Sequence, residues 1–254
     1  MTSLQPEDLR RLPRLYVDAS LHAGASIEPS PDQVHYLASV MRLAVGDGVR
    51  LFNGRDGEWR AAIIEIGRKR ARLETRDQLR AQTDLPNIHY LFAPLKHARI
   101  DYVAQKATEL GAARLVPVLT AHTIARRVNL ERLRANAIEA AEQCNLLSVP
   151  EIDAPVELDS LLDHWEGSRR LIYCDESAPS ANPLPQLRDL AEKNRDTPLA
   201  VLVGPEGGFS PAEQQRLRAL PGVIPISLGP RVMRADTAAI AALTLVQATC
   251  GDWQ

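Results

Sequence analysis

The hydrophobic rhythm of the chain changes once, near residue 80. Before that point apolar residues alternate with polar ones in short runs, and residues 14–17, 49–52, 58–66 and 71–75 each read as a strand. Gly46-Asp47-Gly48 and Asn53-Gly54 supply turns between them. One helix interrupts the series: Asp32 serves as its cap, and Val34, Leu37, Val40 and Met41 form its apolar face. The pattern predicts a small β-barrel with one helix, and a first domain over residues 1–80.

Residues 78–86 are polar, end in Pro86 and read as a linker. Beyond them, from residue 84 to 254, short apolar runs alternate with amphipathic ones. Strands are predicted at 88–93, 115–118, 171–174, 199–203 and 223–228. Ile100, Val103, Ala107 and Leu110 line one helix face, which stops at Gly111. Further helices are predicted at 130–144, 184–193, 211–220 and 236–250, with a proline-rich loop at 178–185. Short apolar strands separated by helices predict a mostly parallel sheet covered on both faces.

Composition adds little to this picture and contradicts none of it. Hydrophobic residues make up 45% and charged residues 24%, which is enough apolar mass for two cores. No run approaches the roughly 18 apolar residues of a membrane span. The first residues carry no apolar stretch like that of a signal peptide, so a cytoplasmic location without membrane contact is expected. Cys144, Cys174 and Cys250 are odd in number and widely spaced, as expected of reduced thiols. The net charge of −2 conceals an excess of basic residues over 42–76, nine against five acidic. A local contact with a polyanion such as RNA would use such a stripe, although a solvated strand surface carries surface arginines equally well.

Candidate chemistry concentrates where apolar strands run into glycine. Leu199-Ala-Val-Leu-Val203 ends in Gly204-Pro205-Glu206-Gly207-Gly208, and Ser210, Pro211 and Glu213 then form a capping box for the next helix. Glycines at that junction let backbone approach a ligand at the edge where open α/β sheets bind one. The alternative is a tight turn with positive φ at Gly207 or Gly208. A second junction of the same kind, Ser227-Leu228-Gly229-Pro230-Arg231-Val232-Met233-Arg234-Ala235-Asp236-Thr237, adds two arginines and a helix capped by Asp236 or Thr237. Lys106 and Glu109 are spaced to pair on a helix surface. His35, His97 and His122 lie apart from acidic or Cys neighbours at ligand spacing, so no metal is expected. Neither a nucleotide P-loop nor a hydrolytic triad is present.

Taken together, Lys106-Ala-Thr-Glu-Leu-Gly111, Glu139-Ala-Ala-Glu-Gln143, Gly204-Pro-Glu-Gly-Gly208 and Leu228-Gly-Pro-Arg231 with Arg234 resemble the bacterial 16S ribosomal RNA uridine-N3 methyltransferases of the SPOUT superfamily. Pro13-Arg14-Leu15-Tyr16, His35-Tyr36-Leu37, Met41-Arg42-Leu43 and Gly46-Asp47 fit that family's first domain, so the likeness spans about residues 13–250. The resemblance implies an N-terminal PUA-like RNA-binding barrel and a C-terminal SPOUT α/β domain with a deep trefoil knot. It further implies a homodimer, S-adenosylmethionine as cofactor, and methylation of N3 of one 16S rRNA uridine near the decoding region of the small ribosomal subunit. By motif position, Leu202, Gly204, Pro205, Gly207, Leu228, Gly229 and Met233 would hold the cofactor. Arg234, with Glu206 or Asp236 as proton acceptor, would be catalytic, and Arg14, Arg42 and Arg231 would contact RNA. The alternatives are a SPOUT methyltransferase acting on another RNA nucleotide and a non-catalytic RNA-binding assembly factor. The chain departs from the family where Cys144-Asn145-Leu146-Leu147 and Ala121-His122 replace arginine-bearing stretches, and where Asp236 replaces Glu. Those departures predict RNA affinity resting more on the barrel.

Overall fold

The computed structural model describes residues 9, 11–96, 98–178, 180–193 and 197–253. It divides into two compact units, one of residues up to 84 together with 141–148, the other of 85–140 with 149 onward.

The first unit is a curled five-stranded sheet with ladder order β1-β3-β4-β5-β2, formed by β1 (Arg14–Tyr16), β2 (Ser26–Ile27), β3 (Gly48–Phe52), β4 (Glu58–Ile66) and β5 (Ala71–Arg80). β1 and β3 are parallel and the other pairs antiparallel, with three register shifts between β4 and β5 that bend the sheet. Leu15, Val49, Leu51, Ile63 and Leu73 fill the concave side with Leu37 from the helical segment. β5 continues to Arg80, so the first residues of the expected linker are strand.

The helical segment differs from its sequence reading in two ways. Its cap is Ser30, whose hydroxyl accepts from the Gln33 amide while the Gln33 side chain returns the bond, and Asp32 sits in the first turn. After α1 (Pro31–His35) the chain widens into a π-helical turn, Tyr36–Val40, closed by Met41 N donating to Tyr36 O at 2.9 Å. Widening keeps Leu37 inside and leaves Tyr36, Val40 and Met41 exposed.

The second unit is a parallel sheet in the order β12-β10-β11-β6-β7-β8, with β9 also beside β7. Its strands are β6 (Ile88–Phe92), β7 (Arg114–Leu119), β8 (Glu151–Ile152), β9 (Val156–Glu157), β10 (Arg170–Cys174), β11 (Leu199–Val203) and β12 (Ile224–Ile226). Side-chain alternation sends Tyr90, Phe92, Val201 and Val203 into one core and Leu91, Ala200 and Leu202 into the other, as a sheet covered on both faces requires. The helices are α2 (Ala98–Glu109), α3 (Leu130–Gln143), α4 (Leu158–Asp163), α5 (Leu184–Lys193), α6 (Pro211–Ala219) and α7 (Ala235–Cys250). α7 packs on α2 and α5. The α2–α7 contact is fixed by Gln247, fully buried, whose Nε2 donates to Leu110 O at 2.6 Å. Gly111 beside it has φ +75°, and a Cβ there would lie 2.7 Å from Gln247 Nε2, so glycine is required on both counts. The two-residue strands β8 and β9 and the single-turn-and-a-half α4 escape the sequence pattern because they are too short to show a period.

Candidate active site

Three strand ends of the second unit open onto one cavity of about 270 Å³, lined from β10 by Tyr173–Glu176, from β11 by 203–209 and from β12 by 226–229 and 231–233. Gly204, Gly207, Gly208 and Gly229 form part of its wall. Gly204 leaves no room for a side chain, since a Cβ there would lie 2.5 Å from the Phe209 ring, which in turn packs edge-on against Tyr173 at 5.3 Å. Gly208 has φ +66° and Gly229 φ +112°, so each turn uses glycine's left-handed freedom. The Ser210–Glu213 capping box is present, and Glu213 does more than cap: its Oε2 accepts from Ser210 N at 2.8 Å and its Oε1 from Ala121 N at 2.7 Å. That bond ties the 120–123 turn to the glycine loop. His122 completes the tie with Nδ1 at 3.0 Å from both Gly207 O and Gly208 O. Carbonyls only accept, so Nδ1 carries the proton.

Electrostatics inside the cavity are set by β10. Burial pushes the Cys174 thiol up to about 12, so this lining group stays a thiol, and burial likewise raises the Tyr173 phenol. Asp175 is buried too, which by itself would raise its carboxyl. Bonds from Ser177 Oγ at 2.7 Å and the Arg218 guanidinium at 2.7 Å outweigh that and hold it below the usual carboxylate range. Asp175 is therefore an ion already paired, beside the more exposed Glu176 and Glu206.

The residues singled out from sequence fall into separate groups. Gly204, Pro205, Glu206, Gly207, Leu228, Gly229, Arg231 and Met233 line the cavity. Leu202 does not; strand alternation turns its side chain into the core on the opposite face from Val203. Arg234 is the backbone N-cap of α7, with an exposed side chain, and Asp236 sits in the first turn, so neither Asp236 nor Thr237 is the cap. Glu206 and Asp236 are joined by a residue that no motif singles out: Arg99 of α2, with Nη1 3.3 Å from Glu206 Oε1 and Nε 4.0 Å from Asp236 Oδ2. The Glu206 side chain is 42% exposed and Asp236 21%, so the burial that a proton acceptor would use is greater at Asp236.

The RNA assignments divide similarly. Arg42 is exposed, with φ 55° in the left-handed region. Arg14 is not available to a phosphate. Its guanidinium is 3% exposed, bonds the Glu58 carboxylate, donates to Ala141 O at 2.6 Å and Leu146 O, and lies 3.7 Å over the Phe52 ring. It is a buried structural ion in this chain. His97 lies outside the described residues, and among the described residues no group of three His, Cys, Asp or Glu could hold a metal. No helix among them is long and apolar enough to cross a membrane.

Comparison with known proteins accords with this arrangement. Residues 82–247 match the RNA methyltransferase domain family and residues 30–75 the RNA methyltransferase PUA domain family. The chain is 33% identical to ribosomal RNA small subunit methyltransferase E of Rickettsia conorii over 92% of its length and 94% of that protein's. A putative methyltransferase from Legionella pneumophila, solved with bound S-adenosylmethionine, superposes with a TM-score of 0.83 at 30% identity, over 95% of this chain and 99% of that one. Ribosomal RNA small subunit methyltransferase E from Neisseria gonorrhoeae, also solved with S-adenosylmethionine, gives 0.82 at 26% identity, over 96% and 100%. The chain belongs to the RNA methyltransferase family that contains the ribosomal RNA small subunit methyltransferases E.

Proposed function

We propose that the chain methylates N3 of one uridine of 16S rRNA near the decoding region of the small subunit, with S-adenosylmethionine as methyl donor. The observation that carries the reading is the glycine-walled cavity at the carboxyl edge of β10, β11 and β12. The cavity suits this cofactor: backbone and apolar walls from Leu228, Met233 and Ala238 match a nucleoside, and the more exposed Glu176 and Glu206 match a sulfonium and an ammonium. Gly204, Pro205, Gly207, Leu228, Gly229 and Met233 would hold it, with Leu202 contributing only as the strand beneath. When bound, the cofactor supplies a methyl group on a sulfur that leaves readily.

The residues of the chain then have a proton and a charge to manage. N3 of uridine is protonated at neutral pH, so the site must take that proton and stabilise the ring anion. Arg234, projecting from the start of α7, donates to a uracil carbonyl and stabilises the negative charge, helped by the helix N-terminus behind it. Asp236 accepts the proton in preference to the more exposed Glu206, and Arg99 holds both carboxylates at the rim. Arg231 at the mouth and Arg42 on the first unit contact RNA phosphates. We assign RNA binding to residues 1–80 and methyl transfer to 84–254. The function operates in a cytoplasmic homodimer whose two glycine loops belong to a deep trefoil knot; support for the knot is that both loops and the start of α7 border one cavity.

The test is to incubate small subunits from cells lacking this protein with enzyme and S-adenosylmethionine, then map methylation by mass spectrometry of 16S fragments. One added methyl on N3 of a uridine near the 3′ end is expected, and Gly204→Ala abolishes it by filling the space against Phe209. Cofactor binding without methylation would assign a different RNA target. Loss of both would leave a binding protein.

A further inference from the structure

We propose that a second cavity in the same unit binds an unpaired nucleotide of the RNA next to the one being methylated, an inference that rests on the RNA methyltransferase reading. The cavity, of about 360 Å³, lies between the β6–α2 connection and the segment leading into α3. Its floor is apolar: Leu95 and Leu133 are buried, and Ile100 and Val128 pack partly buried against the same core. Its rim carries four charges with different standing. Arg132 and Asp101 neutralise one another through two parallel bonds, Nε to Oδ1 at 2.9 Å and Nη2 to Oδ2 at 2.5 Å. Lys96 and Arg127 are exposed, and among the described residues neither side chain has an ion pair or hydrogen bond. The cleft therefore presents two uncommitted cations over an apolar floor.

That combination fits a nucleotide. A base has apolar faces to lay on the floor, and a phosphate needs the two cations. Position links the cavity to the reaction. Lys96 lies two residues before the start of α2, and Arg99 in the first turn of that helix bonds Glu206 on the rim of the cofactor cavity. A strand whose target base meets the rim of the first cavity would pass the start of α2 on its way to the second.

The experiment is binding of a fluorescent single-stranded oligouridylate to the intact chain across a salt series, with S-adenosylmethionine affinity measured by calorimetry on the same preparations. For the Lys96→Ala/Arg127→Ala double variant we expect about a tenfold loss of oligonucleotide affinity at low salt and a log–log salt slope shallower by about 1.4, the value for two phosphate contacts on a single strand. Val128→Phe, which fills the floor and removes no charge, should weaken binding and leave the slope alone. Cofactor affinity should match wild type in both. Unchanged affinity and slope in the double variant would overturn the proposal, as would displacement of the oligonucleotide by polyglutamate at equal charge concentration. Wild-type protein that binds oligouridylate and fails to bind S-adenosylmethionine would sink the methyltransferase reading instead, and the two failures are thereby separable.

Discussion

The basic stretch of the first unit and the glycine loops of the second are both candidate contact regions in the sequence, and the structure treats them differently. Of the basic residues over 42–76, Arg50, Arg60, Arg70, Arg72 and Arg76 are ion-paired within the unit, and Arg55 donates to Asp18 O. Among the described residues Arg42, Arg68 and Lys69 have no such partner. The glycine loops, in contrast, line a cavity where the sequence placed a ligand. A charge count is a poor guide because a partner many residues away can neutralise an arginine. A glycine between a strand and a capped helix is a good one, because the backbone geometry it permits is fixed within five residues.

Breaking the network that absorbs those charges should have the largest effect. Glu58 is 3% exposed and faces Arg14, Arg80 at 3.1 Å and Arg50 at 3.8 Å. Arg50 and Arg80 also bond the side chain and carbonyl of Asn145, at 3.1 and 2.9 Å. Glu58→Gln keeps the shape and removes the carboxylate that Arg14 bonds, so the buried Arg14 loses that counter-ion. A loss of about 3–5 kcal/mol is expected in urea unfolding. Arg42→Ala on the same unit should stay within about 0.5 kcal/mol. A small effect of Glu58→Gln would mean that the arginines are solvated after all and could serve RNA.

The same contrast explains what could be read from the sequence. The change of period near residue 80, the parallel sheet, the Ser210 box and the two glycine loops all rest on neighbours in sequence, and all are present in the structure. What could not be read rests on distant neighbours. Arg99 meets Glu206 across 107 residues, and Arg14 meets Leu146 across 132. Nothing local separates Arg14, a buried ion, from Arg42, an exposed one. The π-helical turn was equally hidden, since Val34, Leu37, Val40 and Met41 satisfy an α-helical period, and only the Met41–Tyr36 bond shows the wider turn. The β10 edge of the cavity was overlooked because its loop contains no glycine, although an acid directly after an apolar strand, Cys174-Asp175, was there to be noticed.

Each unit also buries a titratable group, and here the second behaves oppositely to the first. Where Arg14 is kept charged by Glu58, His89 on β6 is kept neutral. Burial lowers it from 6.5 to about 4, with the Arg169 and Arg114 cations adding to the effect. Below about pH 6.5 the unfolded chain takes up a proton that the folded one refuses, so this contribution is complete above 6.5 and lost as pH falls toward 4. Because His89 is only partly buried we expect about 2 kcal/mol, less than the full shift implies. Unfolding measured across that window should show the decline, and His89→Gln should flatten it. A decline that persists in the variant would place the titration elsewhere.

The smallest effect should be the most specific to the cofactor loop. If the loop's shape depended on glycine alone, His122 would be dispensable. The structure gives it a donor role: Nδ1–H serves the carbonyls of Gly207 and Gly208, and the ring lies close enough that a Cβ on Gly207 would be 3.3 Å from its own Cβ. His122→Ala should therefore raise the Kd for S-adenosylmethionine by about fivefold, near 1 kcal/mol, with kcat little altered. Asn carries an amide N–H where the ring has Nδ1, and Gln carries it one methylene further out. His122→Asn should restore most of the affinity and His122→Gln little, a ranking that simple loss of packing would not produce. Equal affinity in all three would assign the shape of the loop to its glycines and to the Glu213–Ala121 bond.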